Sequence, residues 1–337
     1  MTPRLPAALA LTLLLPAWAL AVPRPTTPRL HPGATSALPS YVQKVEPALV
    51  GLRVRAAEGS ASSARLGQQR FATGVIFDAR GYVVTVSYAV LDAVRIEARL
   101  RDQRTVTGRL TGIDFATGLA VVKLEGAGPW PAATLGQSAD VTMGMGTATV
   151  GVDEDDDLVQ VSGSVHAIRR FAAFWEYMLD RAFLVAPASP AWGGSALVNQ
   201  RGELIGITSL RLGEGPHVNL AIPLEKFLPV KDELINAGRV VSRPARPWLG
   251  LQTAGGPAGV VVQGFSERGP AAGAGFRKGD QIVRVNGVEV RSQEEFYEAL
   301  WRQRAGDLIE VAVRRGGGIH VIPVRGIDRH HLLGPPR

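Results

Sequence analysis

Residues 189–209 read SPAWGGSALVNQRGELIGITS. Two apolar runs, ALVNQ from Ala196 and ELIGITSL from Glu203, flank a short polar turn, and the pair Gly193-Gly194 precedes the first of them. The same pattern recurs upstream in LVGLRV (49–54), TGVIFD (73–78), GYVVTV (81–86) and LAVVKL (119–124), separated by Gly, Asp and Pro. Runs this short, broken this often by turn residues, predict an antiparallel barrel or sandwich extending to about residue 225.

Beyond that block the pattern changes. PLEKFLPVKDELINAG (223–238) reads as a helical piece closed by Gly238, and SRPARP (242–247) reads as a linker into a second module of short strands and one clear helix. That helix lies in SQEEFYEALWRQ (292–303), where Ser292 and Glu295 make a capping box and Phe296, Ala299, Leu300 and Gln303 share a face. The acidic run Asp153–Asp157 lacks the glycine and the terminal glutamate of a calcium loop, and reads as a solvated surface turn.

The chain has 337 residues, 46% hydrophobic and 20% charged, enough to bury about two domains. Its first 21 residues place Arg4 before an apolar run that ends Ala19-Leu20-Ala21, the pattern of a secretory signal. Export to the periplasm or the exterior is therefore expected, with membrane attachment only if that segment is retained. Residues 22–39 are rich in Pro, Thr and Ser and read as an extended linker. With no cysteine anywhere, disulfides, thiol nucleophiles and cysteine metal sites are excluded, and no metal or cofactor is expected. The net charge of +7 comes mostly from residues 239–337, which hold 15 Lys or Arg against 9 Asp or Glu. These are scattered arginines rather than a basic run with interleaved aromatics, so acidic partners fit better than specific nucleic acid.

Four stretches, ATGVIFDARGYVVTVSYAV (72–90), FATGLAVVKL (115–124), SPAWGGSALVNQRGELIGITS (189–209) and NLAIPLEKF (219–227), resemble in order and spacing the HtrA family of exported serine proteases. PWLGL (247–251) and GPAAGAGFRKGDQIVRVNGVEV (269–290) are similar to the PDZ domain of that family. The resemblance implies a mainly β chain: a trypsin-like double six-stranded β-barrel over residues 40–240, an α+β PDZ domain over 241–327, and a tail over 328–337. It also implies an active site in the cleft between the barrels, and trimers.

Carried over position by position, the family's catalytic triad falls on Tyr88 for the histidine, Gly118 for the aspartate and Gly193 for the serine. All three have changed. Gly193 has no side chain to attack with, a phenol with an ordinary pKa near 10 is a poor base at neutral pH, and Gly118 offers no carboxylate to orient anything. Triad members act as a unit, so losing one removes on the order of a millionfold in rate. Ser195 is the fallback nucleophile, but no histidine occurs between residues 32 and 165 to serve as its base. His166 and His217 read as packed or turn residues, His320, His330 and His331 lie in the carboxyl-terminal third, and Lys123, the only lysine between residues 45 and 225, sits in an apolar strand. Trp192 and Tyr88 are expected to fill the space of the lost site.

The PDZ module keeps its parts. Members of the family add an extended peptide as a strand beside the sheet and receive its terminal carboxylate on backbone amides of a short loop, here Trp248, Leu249, Gly250 and Leu251. Phe296 and Leu300 would floor the pocket for the last apolar side chain, with Arg246 nearby. The resemblance thus implies a degenerate member that binds peptide or protein carboxyl termini or unfolded polypeptides, as a chaperone, sensor or partner of an active relative. Two alternatives stand beside it: an active endopeptidase with a non-standard site, and a structural subunit of an HtrA-type oligomer.

Overall fold

The computed structural model describes residues 38–257 and 259–333; the signal segment and nearly all of the linker lie outside the described residues. Both six-stranded barrels are present. The first closes in the order β1-β2-β3-β6-β5-β4, from β1 (Leu49–Ala56), β2 (Gln69–Asp78), β3 (Tyr82–Val86), β4 (Ala93–Leu100), β5 (Thr105–Asp114) and β6 (Leu119–Leu124). The second closes as β10-β11-β12-β9-β8-β7, from β7 (Gly146–Val152), β8 (Leu158–Ala173), β9 (Tyr177–Ala186), β10 (Ala196–Asn199), β11 (Leu204–Leu212) and β12 (Val218–Pro223).

The register shows why the β-branched runs choose strands. Val84 sits opposite Val75 on one side and Val121 on the other, and all three are fully buried. Cross-strand pairs of this kind hold an antiparallel ladder together. ALVN and LIGITSL, the runs around the 201–202 turn, become β10 and β11 and pair Ala196 with Ile207. Short helices α1 (Ser40–Val45), α2 (Ser63–Leu66), α3 (Ser87–Val90) and α4 (Lys231–Ala237) punctuate this part of the chain.

The helical piece expected over 223–238 is corrected to a 3-10 turn at Leu224–Lys226 and the separate helix α4. Pro229 falls between them; it has no N–H to donate and restricts the residue before it, so one continuous helix cannot form. Gly238 does end α4, at φ 73°. The acidic turn also differs from a wholly solvated loop. The Asp153 carboxylate accepts the amides of Asp155 and Asp157, while Asp156 pairs with Arg53 at 2.8 Å. Among the described residues no cluster of His, Asp or Glu is arranged to hold a metal.

By internal contact the chain divides into two units, and the second gathers Gly112–Gly118, Arg170–Asp180 and Asp232–Arg337. The joining ends of β8 and β9 thus belong to it. Its main sheet runs β14-β15-β16-β18-β19, with β13 (Pro247–Trp248) outside it, then β14 (Leu251–Gly256), β15 (Gly259–Phe265), β16 (Gln281–Val285), β17 (Val288–Glu289) paired to β16, β18 (Leu308–Arg315) and β19 (Gly318–Arg325). Two strands, β13 and β20 (Ile327–Asp328), form a ribbon of their own. Three helices accompany them, α5 (Ala271–Ala274), α6 (Gln293–Leu300) and α7 (His330–Leu333). Residues 328–333, expected as tail, therefore carry a strand residue and a helix.

Helix α6 begins where its cap requires: Ser292 Oγ accepts the Glu295 amide, and Glu295 reaches back to the Arg291 amide. It ends at Leu300, so Gln303 lies beyond it. Phe296, Tyr297 and Leu300 are fully buried in a core with Leu249, Leu251 and Val260. Strand β14 is an edge strand: among the described residues no second strand of the sheet pairs with it on the side away from β15.

Candidate functional site

Tyr88 lies in α3, directly after β3, and its hydroxyl donates to the Ser209 carbonyl at 2.7 Å. Burial pushes this phenol well above its ordinary value, so it stays neutral and donates rather than accepts. Gly193 faces it: a Cβ built on Gly193 would stand 3.3 Å from the Tyr88 oxygen, and among the described residues no other atom beyond its chain neighbours would lie within 4 Å of it. A glycine α-carbon and a hydrogen-bonded phenol thus face one another across this space. The Trp192 ring lies 6.4 Å from that of Tyr88, centroid to centroid.

Gly194 is demanded by the backbone, at φ 84°, and its amide donates to the Thr208 carbonyl, so this N–H is not free to meet an oxyanion. Ser195 is fully buried. Its hydroxyl is taken up by the Ala191 carbonyl and lies 3.1 Å from Thr73 Oγ1. Among the described residues, no imidazole is hydrogen-bonded to Ser195. His217 instead has Nδ1 at 2.7 Å from the Gly213 carbonyl within its own turn.

Gly118 belongs to the second unit and sits at φ 78°. A Cβ there would come within 3.1 Å of the Tyr177 hydroxyl and 3.2 Å of its ring, and that hydroxyl donates to the Thr117 carbonyl. An aspartate at this position meets both a left-handed backbone and an aromatic ring. The triple substitution Tyr88→His, Gly118→Asp, Gly193→Ser is accordingly expected to leave casein cleavage at background, because the carboxylate that must hold the imidazole cannot take up its place. Casein hydrolysis by that variant at a rate typical of an active protease contradicts this.

In the second unit the loop Trp248–Leu251 has the form a carboxylate-binding loop needs. Gly250 adopts φ 80°, and a Cβ on it would lie 2.8 Å from the Gly269 Cα, so only glycine fits. The loop already holds a carboxylate from this chain. Glu176, between β8 and β9, accepts the Leu249 amide at 2.9 Å on one oxygen and the Leu251 amide at 2.6 Å on the other; the Gly250 amide also bonds to it. Glu176 is 3% exposed. Burial pushes its carboxyl up to about 7, against the pull of the Arg329 charge and the three amides.

Phe296 and Leu300 lie in the core behind this loop. The groups of α6 that reach the edge strand are Tyr297 and Gln293: Gln293 donates to the Thr253 carbonyl at 2.7 Å, and the Tyr297 hydroxyl stands 3.2 Å from Thr253 Oγ1. Arg246 stacks over the Trp301 ring at 4.1 Å. It lines a cleft of about 270 Å³ with Glu176, Trp248, Asp328, Arg329 and His330, among others. Sequence reading passed over Glu176, Gln293, Tyr297 and Arg329. The one signal for the first was a lone acid among the aromatic residues Phe174, Trp175 and Tyr177.

Residues 72–207 match the model of the trypsin-like peptidase domain, and residues 247–324 that of the PDZ domain. The chain is 31% identical over 293 residues to the serine endoprotease DegS of Salmonella typhimurium, covering 81% of each protein. It is 31% identical over 260 residues to a probable periplasmic serine endoprotease DegP-like of Halomonas elongata, spanning 73% of this chain and 54% of that relative. Among solved structures it resembles the HtrA-type protease AlgW with tripeptide, at 26% identity and a TM-score of 0.54, covering 88% of this chain and 97% of the other. With this succession of a trypsin-like peptidase domain and a PDZ domain, and with DegS matching over four-fifths of each protein, the chain belongs to the HtrA family.

Proposed function

We propose that this chain is an exported HtrA-like pseudoprotease that binds peptide or protein carboxyl termini through its PDZ domain, acting in protein quality control as a chaperone, sensor or partner of an active relative. The observation that carries the first half is the pairing of Gly193 with Tyr88. Where acyl transfer needs a hydroxyl facing a proton acceptor, there is a bare α-carbon facing a phenol that donates to the Ser209 carbonyl. The relatives are named serine endoproteases, and the reading here is that this chain keeps their architecture without their chemistry.

The binding half rests on the Trp248–Leu251 loop, whose amides converge on a carboxylate, and on the edge strand β14 beside it. A similar structure, an HtrA-type protease, was solved with a tripeptide, which supports peptide binding by this chain. Periplasmic location is proposed from the signal-like leader and from the name of the DegP-like relative.

Incubating the purified protein with a fluorophosphonate probe and with unfolded casein tests the first half. No labelling and no cleavage are expected; labelling that disappears on Ser195→Ala overturns it. Pairs of peptides with free or amidated carboxyl ends test the second half. Free ends are expected to bind at least tenfold more tightly, because amidation removes the charge that the loop amides receive; equal binding removes the loop from the account.

A further inference from the structure

The groove that the PDZ reading assigns to a peptide is already filled, group by group, by the tip of the β8–β9 hairpin. The Thr253 amide of the edge strand β14 donates to the Phe174 carbonyl at 2.9 Å, a main-chain bond of the kind an added strand makes. Two residues on, the Glu176 carboxylate takes the amides of Leu249, Gly250 and Leu251. Tyr297 fastens the segment from α6, its hydroxyl donating to the Ala173 carbonyl at 2.5 Å and accepting the Glu176 amide at 3.1 Å. Arg329 holds the other side, donating to the carbonyls of Trp175 and Glu176 at 3.2 Å. All of these groups lie within the second unit.

Backbone conformation separates this from an incidental contact. Glu176 sits at φ 55°, a left-handed conformation unfavourable for a residue with a long side chain, and such strain persists only where the surroundings enforce it. Here it brings the carboxylate back onto the loop from the middle of a chain, in a place that otherwise receives a carboxylate from a chain's end.

We propose that Ala173–Glu176 is a built-in ligand of the PDZ groove, with the Glu176 side chain standing in for a terminal carboxylate, so that a polypeptide ending in a free carboxylate binds only by displacing it. This rests on the peptide-binding reading given above. The exclusion is physical: the Thr253 amide and the loop amides cannot serve two carbonyl and carboxylate partners at once. A groove that is open one-tenth of the time binds with an apparent affinity about tenfold weaker than its intrinsic one.

The test uses the full chain, wild type beside Glu176→Gln, which keeps the side-chain volume, and Glu176→Gly, which removes the carboxylate and suits the positive φ. Two measurements are made: hydrogen exchange at the Leu249, Leu251 and Thr253 amides, and fluorescence anisotropy with fluorescein-labelled decapeptides ending in Val, Leu, Ile or Phe. The proposal expects these amides to be protected in the wild type and to exchange faster in both variants, because a carboxamide leaves one loop amide facing an N–H₂ group instead of an oxygen and glycine leaves no acceptor at all, with peptide affinity rising at least tenfold in Glu176→Gly. Amides that exchange in the wild type as quickly as in the variants overturn it. So does peptide binding of equal strength in all three proteins. Protection that is lost in the variants while no peptide binds any of the proteins upholds the seated tip and defeats the peptide-binding reading instead.

Discussion

Gly194→Ala is expected to lower the stability of the barrels by about 4 kcal/mol, while Gly193→Ala, one residue earlier, costs less than about 1 kcal/mol. The two glycines differ in backbone conformation and in their surroundings. At Gly194 the chain runs at φ 84°, and a Cβ would drive into the Thr73 carbonyl oxygen and stand 2.6 Å from Thr85 Oγ1. Those two atoms already share a hydrogen bond of 2.8 Å between β2 and β3, so relief requires moving backbone in the first barrel. At Gly193 the backbone is not left-handed and the nearest atom is the Tyr88 oxygen at 3.3 Å. Against a total stability of about 5–15 kcal/mol, the first change threatens folding and the second does not. Urea unfolding of both variants decides: equal midpoints would show that the Gly194 turn is free to relax. The contrast also bears on function. Position 193 has room for a serine side chain, so its absence there does not follow from want of space.

The legibility of the chain follows from the range of the forces involved. The barrels were readable because short β-branched runs between turn residues repeat a local pattern, as Val75, Val84 and Val121 illustrate. The helix α6 was readable because Ser292 and Glu295, three residues apart, cap it locally. Tyr88 and Gly193 lie far apart in sequence, and it is the fold that brings them face to face. What escaped was non-local. Nothing within the sequence around Glu176 announces that Leu249 and Leu251 will meet it, since their separation of more than seventy residues is closed only by the fold. Phe296 and Leu300, expected to floor the pocket, are buried in the core, and the residue of α6 that bonds to the 173–176 segment is Tyr297, whose hydroxyl gives a buried side chain a polar end.

Peptide affinity is expected to rise steeply with pH, by up to roughly fiftyfold between pH 5 and pH 8, if Glu176 is what the peptide displaces. The carboxyl stands near 4.5 when exposed and is pushed up to about 7 when seated, burial being the cause. A raised value means that the seated state is fully favoured below about pH 4.5 and loses ground as pH climbs through 7, by up to about 3 kcal/mol. A peptide's own terminal carboxylate is ionised across the whole range, so it gains what the tip loses. The groups facing Glu176 do not reverse this. Arg329 remains a cation, and burial raises the Tyr297 phenol so that it stays neutral. Farther along the cleft are Asp114, Arg239, Arg243, Arg246, Asp328 and His330, with Asp328 held at about 2 chiefly by its hydrogen bond to His330. Any contribution from those groups persists in Glu176→Gln, which therefore serves as the baseline: its affinity should be nearly flat across the range in which the wild type climbs. An affinity that instead falls with rising pH would mean that the three loop amides and Arg329 hold the carboxylate more strongly than burial penalises it, and the same slope in both proteins would assign the effect to the cleft rather than to Glu176.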